Sequence, residues 1–291
     1  MGLKNAIRSV RAAIARRGPP VVGVVRLSGV IGNVMGARTG LTLAEVAGHL
    51  EHAFELPNVK CVALAVSSPG GSPVQSALIA RRIRSLATEK NIPVVAFVED
   101  AAASGGYWLA CAADEIFADE SSIVGSIGVV SAGFGFQGLI DRLGVERRLH
   151  TAGEKKAMLD PFQPEDPEEV AHLEVLLADI HESFKAMVRE RRGKRLRADE
   201  AELFTGQFWT GRRALELGLV DGLGDLRATM RSRYGDKVQL RLIGGKEPLW
   251  KRLLSRPPGR TGVDAEAVAA SLAGAALAWI EERAHWARFG L

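Results

Sequence analysis

The stretch 59-VKCVALAVSSPGGSP-73 opens as a nearly continuous apolar run and closes on serines, prolines and a glycine pair. An apolar run without alternation predicts a strand covered on both faces, the kind found in parallel sheets layered between helices. The neighbouring segments agree with that reading. Residues 21-VVGVVRL-27 follow a Pro-Pro break and read as a strand, and 42-TLAEVAGHLEHAFE-55 as an amphipathic helix opened by a Thr cap. A helix over 74-VQSALIARRIRSLATEK-90 leads into a second buried strand, 92-IPVVAFV-98. Further on, 115-EIFA-118 and 145-VERRLH-150 read as strands, with a helix over 138-GLIDRLG-144 between them. Strands alternating with helices at this spacing predict an α/β layer architecture, a parallel sheet flanked by helices.

Past residue 165 the pattern turns helical. Residues 165–194 predict one long helix, and 211–226 a shorter helix, a Gly stop and a further element. The stretch 255-SRPPGRTG-262 reads as a linker, and the alanine-rich tail 264–290 as a helix used for docking or oligomerisation. Three parts result: an N-terminal basic amphipathic segment over 1–19, a main domain over 20–245, and a linker with a helical C-terminal extension over 246–291. In the first part Leu3, Ile7, Val10 and Ile14 fall on one helical face among basic residues. Such a helix suits an anionic membrane surface, and equally a packed position on the domain or on a neighbouring subunit. No signal-peptide core and no run of about 20 apolar residues occurs, so the expected location is the cytoplasm or the membrane surface, without an anchor.

Composition removes several function classes. With 38 Lys and Arg against 34 Asp and Glu over 291 residues, the net charge of +4 gives no basic stripe for nucleic acid. The run 189-RERRGKRLR-197 reads as a solvated helix end. Cys61 and Cys111 sit among apolar residues, which predicts buried free thiols and a reducing compartment. There is no HExxH, no paired CxxC and no Asp-rich loop, and the six histidines are scattered, so neither a metal site nor a cofactor is expected. The match of 133-GFGFQG-138 to G-x-G-x-x-G lacks the acidic residue about 20 positions on that a dinucleotide site requires.

The positive signal is a pair of strand ends. Ser68-Pro69-Gly70-Gly71 follows the strand at 59–66, and Ser104-Gly105-Gly106, within 101-AAASGGYWLA-110, follows the strand at 92–98. Ligands of parallel sheets bind beyond the carboxyl ends of adjacent strands, so both glycine pairs would face one crevice. Bare N–H groups of Gly71 and Gly105 would form an oxyanion hole beside the Ser104 hydroxyl, at the positive end of a helix dipole. A serine nucleophile needs a base, and no histidine is well placed. The segment 151-TAGEKKAMLDPF-162 offers two lysines where the sequence turns apolar, and burial would disfavour the charged ammonium and lower the lysine pKa, leaving a neutral amine able to accept a proton.

The order SPGG, ASGGYW, VGSIGVV, FQGLIDRLGV and GEKKAMLDPF over residues 20–230 resembles the signal peptide peptidase A (SppA/SohB-like) serine proteases of peptidase family S49. That resemblance implies a ClpP/crotonase-like fold and a Ser-Lys dyad acting on a peptide substrate. It assigns Ser104 as nucleophile and Lys156 as general base, with Lys155 the alternative. It also places Gly71 and Gly105 in the oxyanion hole and gives Ser126 the task of holding the lysine amine. Relatives with one catalytic domain per chain form rings whose dyads are shared between adjacent protomers, so the resemblance implies a homo-oligomer, a tetramer or octamer. Two other readings keep the fold. One is a crotonase-like acyl-CoA enzyme using Glu99 or Asp100 as its acid or base; the other is a catalytically idle oligomeric scaffold.

Overall fold

Alternate residues of the strand Val59–Ser68 (β2) face opposite sides of a sheet, and both sides are apolar. Every residue from Cys61 to Ser68 is buried. Val62, Leu64 and Val66 join one core with Val25 and Leu27 of β1 (Val21–Ser28) and with residues of two helices, α1 (Leu43–Phe54) and α2 (Pro73–Lys90). Cys61, Ala63 and Ala65 join a second core with Val22, Val24, Val95, Phe97 and Met230. The computed structural model describes residues 18–32, 40–244, 283 and 286–289. The expected amphipathic helix before residue 18, the linker at 255–262 and most of the tail helix lie outside the described residues.

The remaining strands are β3 (Val94–Ala103), β4 (Glu115–Ala118), β5 (Ile123–Gly125), β6 (Phe208–Thr210), β7 (Gly222–Leu223) and β8 (Gln239–Ile243). The remaining helices are α3 (Gly105–Cys111), α4 (Gln137–Arg142), α5 (Pro167–Arg192), α6 (Glu200–Leu203), α7 (Gly211–Glu216) and α8 (Leu226–Tyr234). Strand order is β6-β5-β3-β2-β1-β8, with β4 pairing β3 and β7 pairing β4. All described pairings are parallel except β5 with β6.

Helix starts follow the predicted chemistry. The Thr42 side chain accepts from Glu45 N, Ser72 caps α2 ahead of Pro73, and Asp166 accepts from Glu168 N at 2.8 Å ahead of Pro167. Three readings change. β3 continues five residues past Val98, because its register slips against β2, from Val66 opposite Val98 to Ser68 opposite Ala102. The slip lets β3 pair with β4 along 95–98 and with β5 along 101–103, so Ala101 to Ala103 are strand. Residues 145–150 form no strand: they are exposed, and no ladder within the described chain accepts them. β8, a strand not among those predicted, pairs with β1 at the edge of the sheet.

The basic run at the end of α5 is solvated only in part: Glu190, Lys194, Arg195 and Arg197 are exposed, while Arg191 and Arg192 turn inward. Arg192 is 3% exposed; it donates to both carboxylate oxygens of Asp221 at 2.8 and 3.0 Å and to the Gly218 carbonyl. Arg191 donates to the carbonyls of Cys111 and Ala113, each at 2.9 Å. These contacts fasten α5 to the end of α3 and to the turn before β7. Cys61 and Cys111 are free and buried, as their apolar surroundings predict.

Candidate active site

Ser104 ends β3 and caps α3 with φ 51 and ψ −121, a conformation that costs an L residue free energy and is held by its surroundings. Its N–H donates to the Gly125 carbonyl at 2.8 Å, and its carbonyl accepts from Trp108 N at 3.1 Å. The sharp turn projects the half-buried side chain outward from the carboxyl edge of the sheet. Its hydroxyl makes no hydrogen bond to another described residue.

The glycines bring the two strand ends together. A Cβ on Gly70 would lie 2.8 Å from Ser104 Cβ and 3.1 Å from Gly105 N, so only glycine lets the turns touch. Gly71 has φ 137, and a Cβ there would run into the Ile31 backbone, with Ile31 N at 2.8 Å. Around it the Ser72 N–H donates to the Ile31 carbonyl at 2.7 Å and the Ile31 N–H to the Gly70 carbonyl at 2.8 Å. The N–H groups of Gly71 and Gly105 have no acceptor among the described residues. Both glycines, Ser104 and Ser126 line one cavity of about 410 Å³.

Ser126, 6% exposed with φ 53, is held by its N–H donating to the Gln207 carbonyl at 2.6 Å. It lines the same cavity as Gly71 and Gly105 and brings a second hydroxyl to it. Apolar walls complete the space: Trp108 stacks on Phe184 with ring centroids 4.8 Å apart, and Ile180, Val129 and Val130 lie beside them. Sequence reasoning did not find Ile180 and Phe184, which α5 brings in from far along the chain; the apolar stripe of that helix was their only signal. Arg288 also lines the cavity.

Lys156 is not part of this cavity in the single chain. It is exposed, on a segment from 131 to 156 in which nearly every residue is exposed, and it has no ion-pair partner among the described residues. Lys155 pairs with Glu168 at 3.2 Å. The same segment exposes large apolar side chains: Phe134 is 81% exposed, Leu143 67% and Val145 54%. Gly133, Gly135 and Gly138 of the G-x-G-x-x-G match stand in open space outside the cavity. Glu99 pairs with Arg26 at 3.1 Å and Asp100 accepts from Ser67 at 3.0 Å; neither lines the cavity, which leaves the acyl-CoA reading without its acid. Among the described residues no cluster of His, Cys, Asp and Glu is arranged to hold a metal.

Comparison with known proteins gives this geometry a context. Residues 87–239 match the family model described as peptidase family S49. The chain is 52% identical over 272 residues to a protein of Brucella abortus named Na(+)/H(+) antiporter NhaA, covering 93% of this chain and 37% of that one. It is 32% identical over 210 residues to the chloroplastic serine protease SPPA of Arabidopsis thaliana, covering 70% of this chain and 31% of that one. The chain thus spans about a third of the length of these relatives. Among the described residues no helix is long and apolar enough to cross a membrane. A solved structure of a mutant 1510-N membrane-bound stomatin-specific protease, in complex with a substrate peptide, shares the fold with a TM-score of 0.50. It is 17% identical, and the match covers 82% of this chain and 97% of that one.

Proposed function

The chain belongs to peptidase family S49, and from that premise we propose that it hydrolyses peptide bonds by transient acylation of Ser104. Ser104 Oγ attacks the scissile carbonyl carbon while its proton passes to a neutral Lys156 Nζ. The tetrahedral oxyanion takes hydrogen bonds from the N–H groups of Gly71 and Gly105. Collapse breaks the C–N bond, and the leaving amine takes the proton from Lys156. Water then loses a proton to the Lys156 amine and attacks the ester carbonyl; the C–O bond to Ser104 breaks, and the proton passes from Lys156 to Oγ to restore the hydroxyl. The observation that carries this reading is a serine held at positive φ beside two backbone donors that have no acceptor among the described residues, in one apolar-walled cavity.

Lys156 reaches the cavity of an adjacent protomer in this mechanism, and Ser126 orients its amine. Lys156, exposed on a segment with apolar side chains and without an ion-pair partner among the described residues, supports the assignment over Lys155, whose ammonium is engaged by Glu168. Burying Phe134, Leu143 and Val145 against a second copy takes the lysine out of water, and desolvation favours the neutral amine. The active form is a ring of copies. Residues 20–245 form the peptidase domain, a reading supported by β8 pairing with β1. The walls of Ile180, Phe184, Val129 and Val130 fit apolar peptides such as signal-peptide-like or unfolded segments, met in the cytoplasm or at a membrane surface.

The test labels the assembled protein with a fluorophosphonate and follows cleavage of an apolar peptide against pH. Wild type is labelled at Ser104 and its rate rises through an ionisation that Lys156→Ala abolishes and Lys155→Ala leaves in place. Mixing Ser104→Ala with Lys156→Ala protomers restores part of the activity, since some interfaces then unite an intact serine with an intact lysine. Labelling and cleavage by the Ser104→Ala protein equal to wild type would refute the nucleophile assignment.

A further inference from the structure

The cavity at Ser104 has one charged side chain among its lining residues, Arg288. The rest of the wall is made of glycine, proline, serine, threonine, valine, isoleucine and aromatic residues. Arg288 is exposed and lies in a turn that packs against the sheet through its neighbour. The next residue, Phe289, is half-buried and packs edge-on against Phe208 of β6 with ring centroids 5.0 Å apart. Its N–H donates to the Trp286 carbonyl at 2.9 Å, closing a turn that holds Arg288 beside the cavity. β6 in turn pairs with β5, placing Phe208 opposite Gly125, the residue before Ser126. The turn is therefore anchored to the strand that forms the cavity's serine wall.

Arg288 has no carboxylate partner among the described residues; its guanidinium lies 5.9 Å from the Phe289 ring centroid. Arg233, by contrast, is matched to Glu115 and Arg213 to Glu216. A guanidinium without a carboxylate partner among the described residues, lining a cavity whose other lining residues are uncharged, sets a positive potential on whatever enters it. Guanidinium recognises carboxylates by charge and by its planar fork of donors.

We propose that Arg288 is a specificity residue, favouring peptides that carry a carboxylate beside the apolar segment seated in the cavity and disfavouring those with a lysine there. The inference rests on the peptidase reading. The carboxylate is either an acidic side chain or the free end of a chain, since the same guanidinium accepts both.

The experiment uses quenched apolar peptides in which a single Glu, Gln or Lys is moved through the positions flanking the cleaved bond, all with amidated ends. A further arm carries no acidic residue but a free C-terminal carboxylate. Because Arg288 is exposed, the expected preference in kcat/KM for Glu over Lys at the best position is modest, about fivefold to tenfold, and it fades as salt is raised. Arg288→Gln removes the preference and Arg288→Glu reverses it. Affinities of the same peptides for Ser104→Ala protein, read by fluorescence anisotropy, follow the same order without turnover. Equal rates for Glu and Lys peptides at every position, or a preference unchanged in Arg288→Glu, overturns the inference while leaving the peptidase reading intact. Ordered binding with no cleavage by wild type overturns the peptidase reading and leaves the carboxylate subsite standing.

Discussion

Replacing Gly71 by alanine tests the oxyanion assignment through geometry alone. Gly71 sits at φ 137, where side chains are strained, and an added Cβ would meet the Ile31 backbone, its nitrogen at 2.8 Å and its carbonyl carbon at 2.9 Å. Neither neighbour is a flexible side chain, and Ile31 is held by two backbone hydrogen bonds to this same turn. Relief requires the turn to move by roughly 1 Å, and a misplacement of that size in a catalytic group costs about a hundredfold in rate. Loss of an oxyanion donor alone costs about 10² to 10³ in kcat. The expected result is a kcat reduced about 10² to 10³-fold in a peptide cleavage assay. KM should change much less, since the donor binds the oxyanion formed in the transition state. Gly133→Ala is the matched control, because nothing lies within 4 Å of a Cβ there. Circular dichroism and a thermal melt check that both variants fold. A folded Gly71→Ala protein with kcat within twofold of wild type would refute the reasoning.

Three further outcomes follow from the packing. Arg192→Met leaves Asp221 and the Gly218 carbonyl without their buried partner, and breaking one side of such a pair costs about 3–5 kcal/mol in urea unfolding; a loss below about 1 kcal/mol would show the pair to be idle. Burial pushes the Cys61 thiol up to about 12 and the Cys111 thiol up to about 11, so the folded state favours the protonated thiols. The stability they contribute is intact below about pH 9, the ordinary thiol value here, and is lost as pH climbs through 11 to 12; the urea midpoint should fall in that window and less steeply in Cys61→Ala. Phe134→Asp with Leu143→Asp places charge on the exposed segment without touching the core. By analytical ultracentrifugation the protein should become monomeric and lose cleavage, with a melting temperature close to wild type.

Much of this fold was legible because the responsible forces are local. Apolar residues at both parities of 59–66 require two covered faces, and Thr42, Ser72 and Asp166 satisfy helix N–H groups within three residues of themselves. The turn at Ser104 announced itself by the glycines around it. Other features had no local cause. Residues 145-VERRLH-150 have strand-like composition, but a strand exists only where a neighbour offers a ladder, and none does. The arginines after residue 188 look solvated in sequence, yet Arg192 is buried because Asp221, 29 residues later, returns to meet it. Ile180 and Phe184 look like an ordinary helix stripe until α5 is laid across the cavity.

What the residues alone determined, then, is the existence of the central strands β1, β2 and β3, the two-sided burial of β2, and the pair of glycine turns at neighbouring strand ends, since each follows from backbone sterics, local apolar pattern and short-range hydrogen bonding. Tertiary structure decided that Gly70 touches Ser104, that Ser126 shares their cavity, that Lys156 stands exposed outside it, and that Arg288 comes to its mouth from the far end of the chain. Those placements depend on which surfaces the packed sheet leaves open, and that is a property of the whole chain rather than of any segment of it.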